Sequence, residues 1–176
     1  MSEVYKTFEG GLFFVTFSVV GWADVFTRPV YQDILLESIQ FCQEKKGLEL
    51  YEYCILPNHV HFIASRKEGL LGDLLRDLKS FTARKLIDSI INNERESRKD
   101  WLLKLFRDHG KISPQKQIYQ FWNHDNHAFC LETTYMIEQK VRYIHYNPVK
   151  AGFVDEPWKW RLSSANPDSP LKILEL

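Results

Sequence analysis

Hydrophobic positions change period several times along the chain, and each change marks an element. Leu12–Val20 (LFFVTFSVV) is β-branched and aromatic, which predicts a buried strand ended by Gly21 and Trp22. Pro29 suits a helix start, and Val30–Lys46 carries Ile34, Leu35, Ile39 and Cys42 at helical spacing, with Gly47 as the C-cap. Leu48–Leu56 alternates as a strand does. Pro57-Asn58 is turn chemistry, and His59–Ser65 reads as a second strand closing a hairpin. Gly69–Ile91 repeats leucine and isoleucine along one face, as a long amphipathic helix would. Glu94–Gln117 is charged and irregular, with a short helix at Trp101–Phe106. Ala128–Leu131 suits a short strand. Thr133 and Thr134 are N-cap candidates for a last helix, Tyr135–Tyr146, which Asn147-Pro148 should stop. The stretch 163–176 is turn-rich and expected to be a loose tail.

The order is strand, helix, strand, strand, helix, strand, helix. Its first six members follow the split βαβ, ferredoxin-like pattern of the α+β class. The expected sheet is antiparallel and four- to five-stranded, with helices packed on one face and the other face free for a site. A length of 176 residues suits a single domain over 1–176, with a core at about 10–165 and a charged variable insertion at 92–117.

Composition narrows the partners. The formal net charge is zero, with 23 basic and 23 acidic side chains, which excludes a histone-like protein or an acidic tail. The charge is nevertheless uneven: residues 66–116 hold 13 basic and 8 acidic side chains, whereas residues 1–65 hold 4 and 8. A polyanion, if bound, should meet the middle third. Cys42, Cys54 and Cys130 are odd in number and form no CxxC pair, arguing against a disulfide framework and for a reducing compartment. Met1–Gly11 lacks an apolar signal core, and no window is long and apolar enough for a membrane span, so a cytoplasmic location is expected.

Two short patterns carry chemistry. In Pro57-Asn58-His59-Val60-His61, residues two apart on a strand share a face, so both imidazoles would project together while Val60 enters the apolar side. Paired imidazoles suit a divalent metal; equally, they are what two surface histidines on an exposed strand look like. In Arg142-Tyr143-Ile144-His145-Tyr146-Asn147-Pro148, Tyr143 and Asn147 share a helix face and Ile144 turns inward. A carboxamide oxygen is a hard ligand for Mg²⁺ or Mn²⁺, and a phenol one turn away is a possible nucleophile. Packing aromatics with Asn147 as a C-cap fit the same letters.

Together the patterns resemble a known family. Tyr53–Ile63 (YCILPNHVHFI) resembles the HUH motif, histidine-hydrophobe-histidine, of single-tyrosine HUH transposases. Tyr143–Gly152 (YIHYNPVKAG), with Phe153-Val154, is similar to the C-terminal signature of their REP-associated tyrosine transposase branch, an IS200-like group. The resemblance spans roughly residues 10–165, and Leu56 stands where relatives often have methionine. It implies an RRM-like sheet with a C-terminal catalytic helix. It implies His59, His61 and Asn147 as ligands of one Mg²⁺ or Mn²⁺, and Tyr143 as the nucleophile. The implied activity is cleavage and rejoining of single-stranded DNA near hairpins through a 5′-phosphotyrosine, in a bacterial, nucleoid-associated setting. A homodimer, and use of Tyr143 in its own or a partner's site, both stay open. So does a non-catalytic, domesticated protein that binds structured single-stranded DNA or RNA.

Single-stranded DNA is usually held by cations and stacked aromatics. Arg76, Lys79, Arg84 and Lys85 on the long helix, with Arg66 and Lys67 after the HUH strand, are the DNA-binding candidates; a solvated helix face is the plainer reading. Trp122 reads as core or wall, and His145 lies off the Tyr143–Asn147 face.

Overall fold

The four strands of the computed structural model are β1 (Phe13–Ser18), β2 (Leu48–Ile55), β3 (His59–Arg66) and β4 (His127–Cys130), and they form one antiparallel sheet in the order β2-β3-β1-β4. That is the ferredoxin-like arrangement. Residues 7–125 and 127–176 are described, His127 by its backbone alone; Met1–Lys6, part of the stretch read as lacking a signal core, lie outside them.

Alternation sorts β1, β2 and β3 between two cores. Phe13, Val15 and Phe17 of β1, and Val60, Phe62 and Ala64 of β3, face α1 (Pro29–Lys45) and α2 (Leu71–Asn92), whose Leu35, Ile39, Leu74, Leu78 and Ile90 complete the main core. The opposite residues, Phe14 of β1 and Ile63 of β3, join Cys54, Leu56, Leu131 and Ile144 in a smaller cluster under α4 (Thr134–Lys150). The second face is therefore not free, as the sequence suggested. α4 lies against β2 and β3 and covers part of it.

Three further expectations are corrected. First, α4 does not stop at Asn147-Pro148 but runs to Lys150, with a buried Pro148 inside it. A proline removes one donor and crowds the turn before it. Here it sits in the last turn, where the closing bonds bypass it: Ala151 N–H donates to Asn147 O at 3.0 Å and Phe153 N–H to Pro148 O at 3.0 Å. Second, the charged stretch after α2 is not largely irregular, because it holds α3 (Lys99–Ile112), which buries Leu102 and Phe106 in the main core. Gly110 lies so close to the following chain that a Cβ would meet Gln117 O at 2.5 Å. Third, the tail is not loose. Leu162 O accepts from Ile55 N–H at 2.8 Å, Leu174 N–H donates to Leu50 O at 2.9 Å, and Leu162 and Leu171 are buried. The open edge of β2 needed backbone partners, and the tail supplies them.

The turns between β1 and α1 bear on the site. A 3-10 turn, Val20–Trp22, follows β1, and Gly21 (φ 62°) packs against Leu105 of α3. All three cysteines are free, and among the described residues no helix is long and apolar enough to cross a membrane.

Candidate metal and nucleophile site

β3 carries both histidines on the α4 side of the sheet, His61 opposite Thr16 and His59 opposite Ser18 of β1. Their rings are 4.8 Å apart between centroids. α4 is docked over them at several points. Thr133 caps its start by accepting from Met136 N–H at 3.2 Å. Ile144 is fully buried in the small cluster, and His145 Nε2 meets Glu52 Oε2 of β2 at 2.7 Å. Ser164 donates to the same Glu52 oxygen. This docking brings Asn147 Nδ2 to 3.1 Å from His61 Nε2 and sets the Tyr143 ring 5.2 Å from the His61 ring, edge-on. Tyr143 is 39% exposed, so its face of α4 opens to solvent.

The hydrogen-bond partners of Asn58 fix the proton on His59. The Asn58 amide donates to Asp24 Oδ1 at 2.9 Å and to Trp22 O at 3.3 Å, which fixes its oxygen toward His59 Nδ1 at 2.6 Å. An amide oxygen only accepts, so His59 carries its proton on Nδ1 and Nε2 keeps a bare lone pair. His61 Nδ1 lies 2.7 Å from Thr16 Oγ1, and its Nε2 lies 3.1 Å from the Asn147 carboxamide. Burial lowers both imidazoles: His61 to about 3, with His59 and Lys140 adding repulsion, and His59 in the same direction by burial. Both rings are thus neutral at physiological pH, the state a metal requires.

This donor set fits a divalent cation. Each histidine has its Nδ1 beside an oxygen partner, Asn58 Oδ1 for His59 and Thr16 Oγ1 for His61, the outer-shell pattern of metal-binding histidines. Turning the Asn147 carboxamide about its last torsion would present Oδ1 in place of Nδ2. Among the described residues no group of three or more His, Cys, Asp or Glu side chains lies close enough to hold an ion. Three neutral donors leave the charge of a dication undiminished for an anionic substrate.

Two lysines flank the phenol. Lys140 Nζ lies 4.5 Å from the centroid of Phe14 and 5.6 Å from that of Tyr143, and Lys150 Nζ lies 5.7 Å from Tyr143. Reading the sequence missed these lysines, together with Thr16, Asn58 and Glu52. The helical spacing of Lys140, Tyr143 and Lys150 was available as a signal. The strand pairings of Thr16 and Glu52 were not.

The six basic candidates do not gather here. Arg66, Arg84 and Lys85 line a groove of about 690 Å³ between α1 and α2, on the helix-covered side of the sheet away from α4. Arg76 is paired with Asp73 at 2.8 Å and Asp77 at 3.3 Å. Lys67 is exposed just beyond β3. Lys79 is half-buried, donates to Asn123 O at 2.7 Å, and is lowered by burial to about 8. Trp122 is core, as read, and donates to Thr82 Oγ1 at 3.0 Å.

Comparison with known proteins bears on the family and the fold. A sequence model described as "Transposase IS200 like" matches residues 17–109, a span that includes both histidines. No curated protein matches by sequence. Among solved structures, the chain is similar to a REP-associated tyrosine transposase bound to a REP hairpin, with TM-score 0.66 and 19% identity over 93% of this chain and 82% of that one. It is also similar, at TM-score 0.43 and 19% identity over 79% of this chain and 95% of that one, to a protein of Deinococcus radiodurans assigned as a transposase. The first likeness shows a shared fold, and the second carries no further argument.

Proposed function

The chain belongs to the IS200-like transposase family, whose members are DNA-cleaving enzymes of transposition, and from that premise we propose a metal-dependent, reversible strand transfer on single-stranded DNA with Tyr143 as nucleophile. His59, His61 and Asn147 would hold one Mg²⁺ or Mn²⁺. When bound, that ion supplies Lewis-acid polarisation of the scissile phosphate and fixes its orientation. One observation carries the reading. Residues from β3 and α4 converge so that the Asn147 amide, the His61 ring and the Tyr143 ring share one patch, with spacings of 3.1 Å and 5.2 Å.

The chain's own residues account for the rest. Lys140 and Lys150 flank the phenol with positive charge, which attracts the phosphate. Tyr143 Oη bonds to phosphorus while the P–O3′ bond breaks; the electron pair leaves with O3′, which takes up a proton, and the phenol proton passes to water. The product is a 5′-phosphotyrosine and a free 3′-OH. A phenol with a pKa near 10 leaves far more readily than a sugar alkoxide, so a 3′-OH can attack the tyrosyl ester and reseal the strand. One phosphodiester replaces another, and no nucleotide hydrolysis is needed. Because Tyr143 lies beside His61 of its own chain, the geometry favours use in the same subunit.

The structurally similar protein named above was solved with a REP hairpin, which supports hairpin-bearing DNA as the partner here. The test is incubation of 5′- and 3′-labelled single-stranded hairpin pools with protein and Mn²⁺. Wild type should give an SDS-resistant protein–DNA adduct, and Tyr143→Phe should give none while still binding DNA. A wild-type complex that SDS always dissolves would instead identify a non-catalytic nucleic-acid binder.

A further inference from the structure

We propose that Trp22 is a stacking platform for the nucleobase on the leaving-group side of the scissile phosphate, an assignment that rests on Tyr143 being the nucleophile. Trp22 is a bulky residue with left-handed backbone (φ 53°), a conformation that is uphill for such a side chain and that persists only where its surroundings impose it. Its backbone is pinned. Its N–H donates to Val19 O at 3.1 Å, and its carbonyl accepts from Asn58 Nδ2 at 3.3 Å. Gly21 before it packs under Leu105 of α3, which a Cβ would meet at 3.0 Å. Yet the indole is 61% exposed. The strain is thus not repaid by burial of the ring. The turn holds a large flat surface in solvent, fixed beside the site.

Position gives that surface a role. The Trp22 ring lies 5.5 Å from the His59 ring, His59 lies 4.8 Å from His61, and His61 lies 5.2 Å from Tyr143. Along β1 the same order holds: Phe14 touches Tyr143, Thr16 pairs with His61, Ser18 pairs with His59, and Trp22 follows in the next turn. Trp22 and Tyr143 therefore flank the histidine pair from opposite ends. An in-line displacement places the departing O3′ opposite the attacking phenol oxygen, and so toward Trp22. The nucleotide that leaves with the 3′-OH has its base at the indole. Stacking on an aromatic face is tolerant of base identity and suits a single strand. The Asn58 amide serves both ends, accepting from His59 Nδ1 and donating to Trp22 O, so platform and histidine are positioned by one side chain.

Binding of dT₁₂ by fluorescence anisotropy tests the platform in a Tyr143→Phe background, where no cleavage intervenes. Trp22→Ala should weaken binding about tenfold. Trp22→Phe should recover most of it, and circular dichroism should be unchanged in both. Equal affinity of the Ala variant, or failure of Phe to rescue, overturns the proposal. The side is read with 2-aminopurine placed 5′ or 3′ of the junction mapped from wild-type adducts. Quenching at the 5′ position that Trp22→Ala abolishes supports the assignment; Trp22-dependent quenching at the 3′ position overturns it. Adduct formation that does not depend on Trp22, together with unchanged binding, removes the platform and spares the nucleophile. Trp22-dependent binding without any adduct removes the nucleophile, and with it the assigned side.

Discussion

His61 Nε2 and the Asn147 amide nitrogen lie 3.1 Å apart although 86 residues separate them in sequence. The contact joins the centre of the sheet to the last helix, and it exists only because α4 docks on the second face. Asn147→Ala removes the carboxamide proposed to complete a three-donor site. We expect Mn²⁺ affinity, followed by electron paramagnetic resonance titration, to fall at least tenfold, with denaturation midpoints nearly unchanged. An unaltered Mn²⁺ isotherm would remove Asn147 from the ligand set.

Docking of α4 rests on a small apolar cluster, and Ile144 is its contribution from the helix. Ile144→Ala should lower unfolding free energy by about 2–4 kcal/mol, because a buried isoleucine leaves a cavity that the surrounding strands cannot fill. Urea titration measures this. A loss under about 1 kcal/mol would mean that the His145–Glu52 pair, at 2.7 Å, holds the helix instead.

Glu96 offers a pH test away from the site. Its side chain is fully buried, accepts from Arg98 Nε at 2.9 Å and Nη2 at 3.0 Å, and lies 3.6 Å from Arg28. Hydrogen bonding from Arg98 holds the carboxyl down at about 2. A carboxyl lowered on folding contributes stability above its unfolded pKa of about 4.5, and that contribution is lost as pH falls through the folded value. Between those limits the loss is about 1.4 kcal/mol per pH unit. Glu96→Gln should therefore be less stable than wild type by roughly 2–3 kcal/mol at pH 7, with the gap narrowing toward pH 3. Urea denaturation across that range reads both. A gap independent of pH would show that the pair contributes packing rather than charge.

Much of this was legible in the residue order. The strand at Leu12–Val20, the hairpin about Pro57-Asn58 and both long helices follow from periodicity and turn chemistry, and the structure has them within a few residues. The histidines had to share a face once their strand was assigned, since side chains two apart on a strand always do. Tyr143 and Asn147 share a face for the corresponding helical reason. The failures have a common cause. Pro148 reads as a stop because local sterics say so, yet tertiary contact and the closing turn carry α4 past it. The tail reads as loose because its composition is turn-like, yet the edge of β2 captures it.

The sequence by itself determined most of the elements, which residues of a strand or helix share a face, and the residues able to do chemistry, because those depend on spacing along one element. Tertiary structure alone decided which of them meet. It brought Asn147 to His61, set Lys140 and Lys150 around Tyr143, and held Trp22 beside His59. It also turned Arg84 and Lys85 to the far side of the sheet. Those outcomes depend on which face of the sheet a helix covers, and that is fixed by burial of Ile144, Phe14 and Ile63 together, residues far apart in the chain whose mutual contact no local pattern encodes.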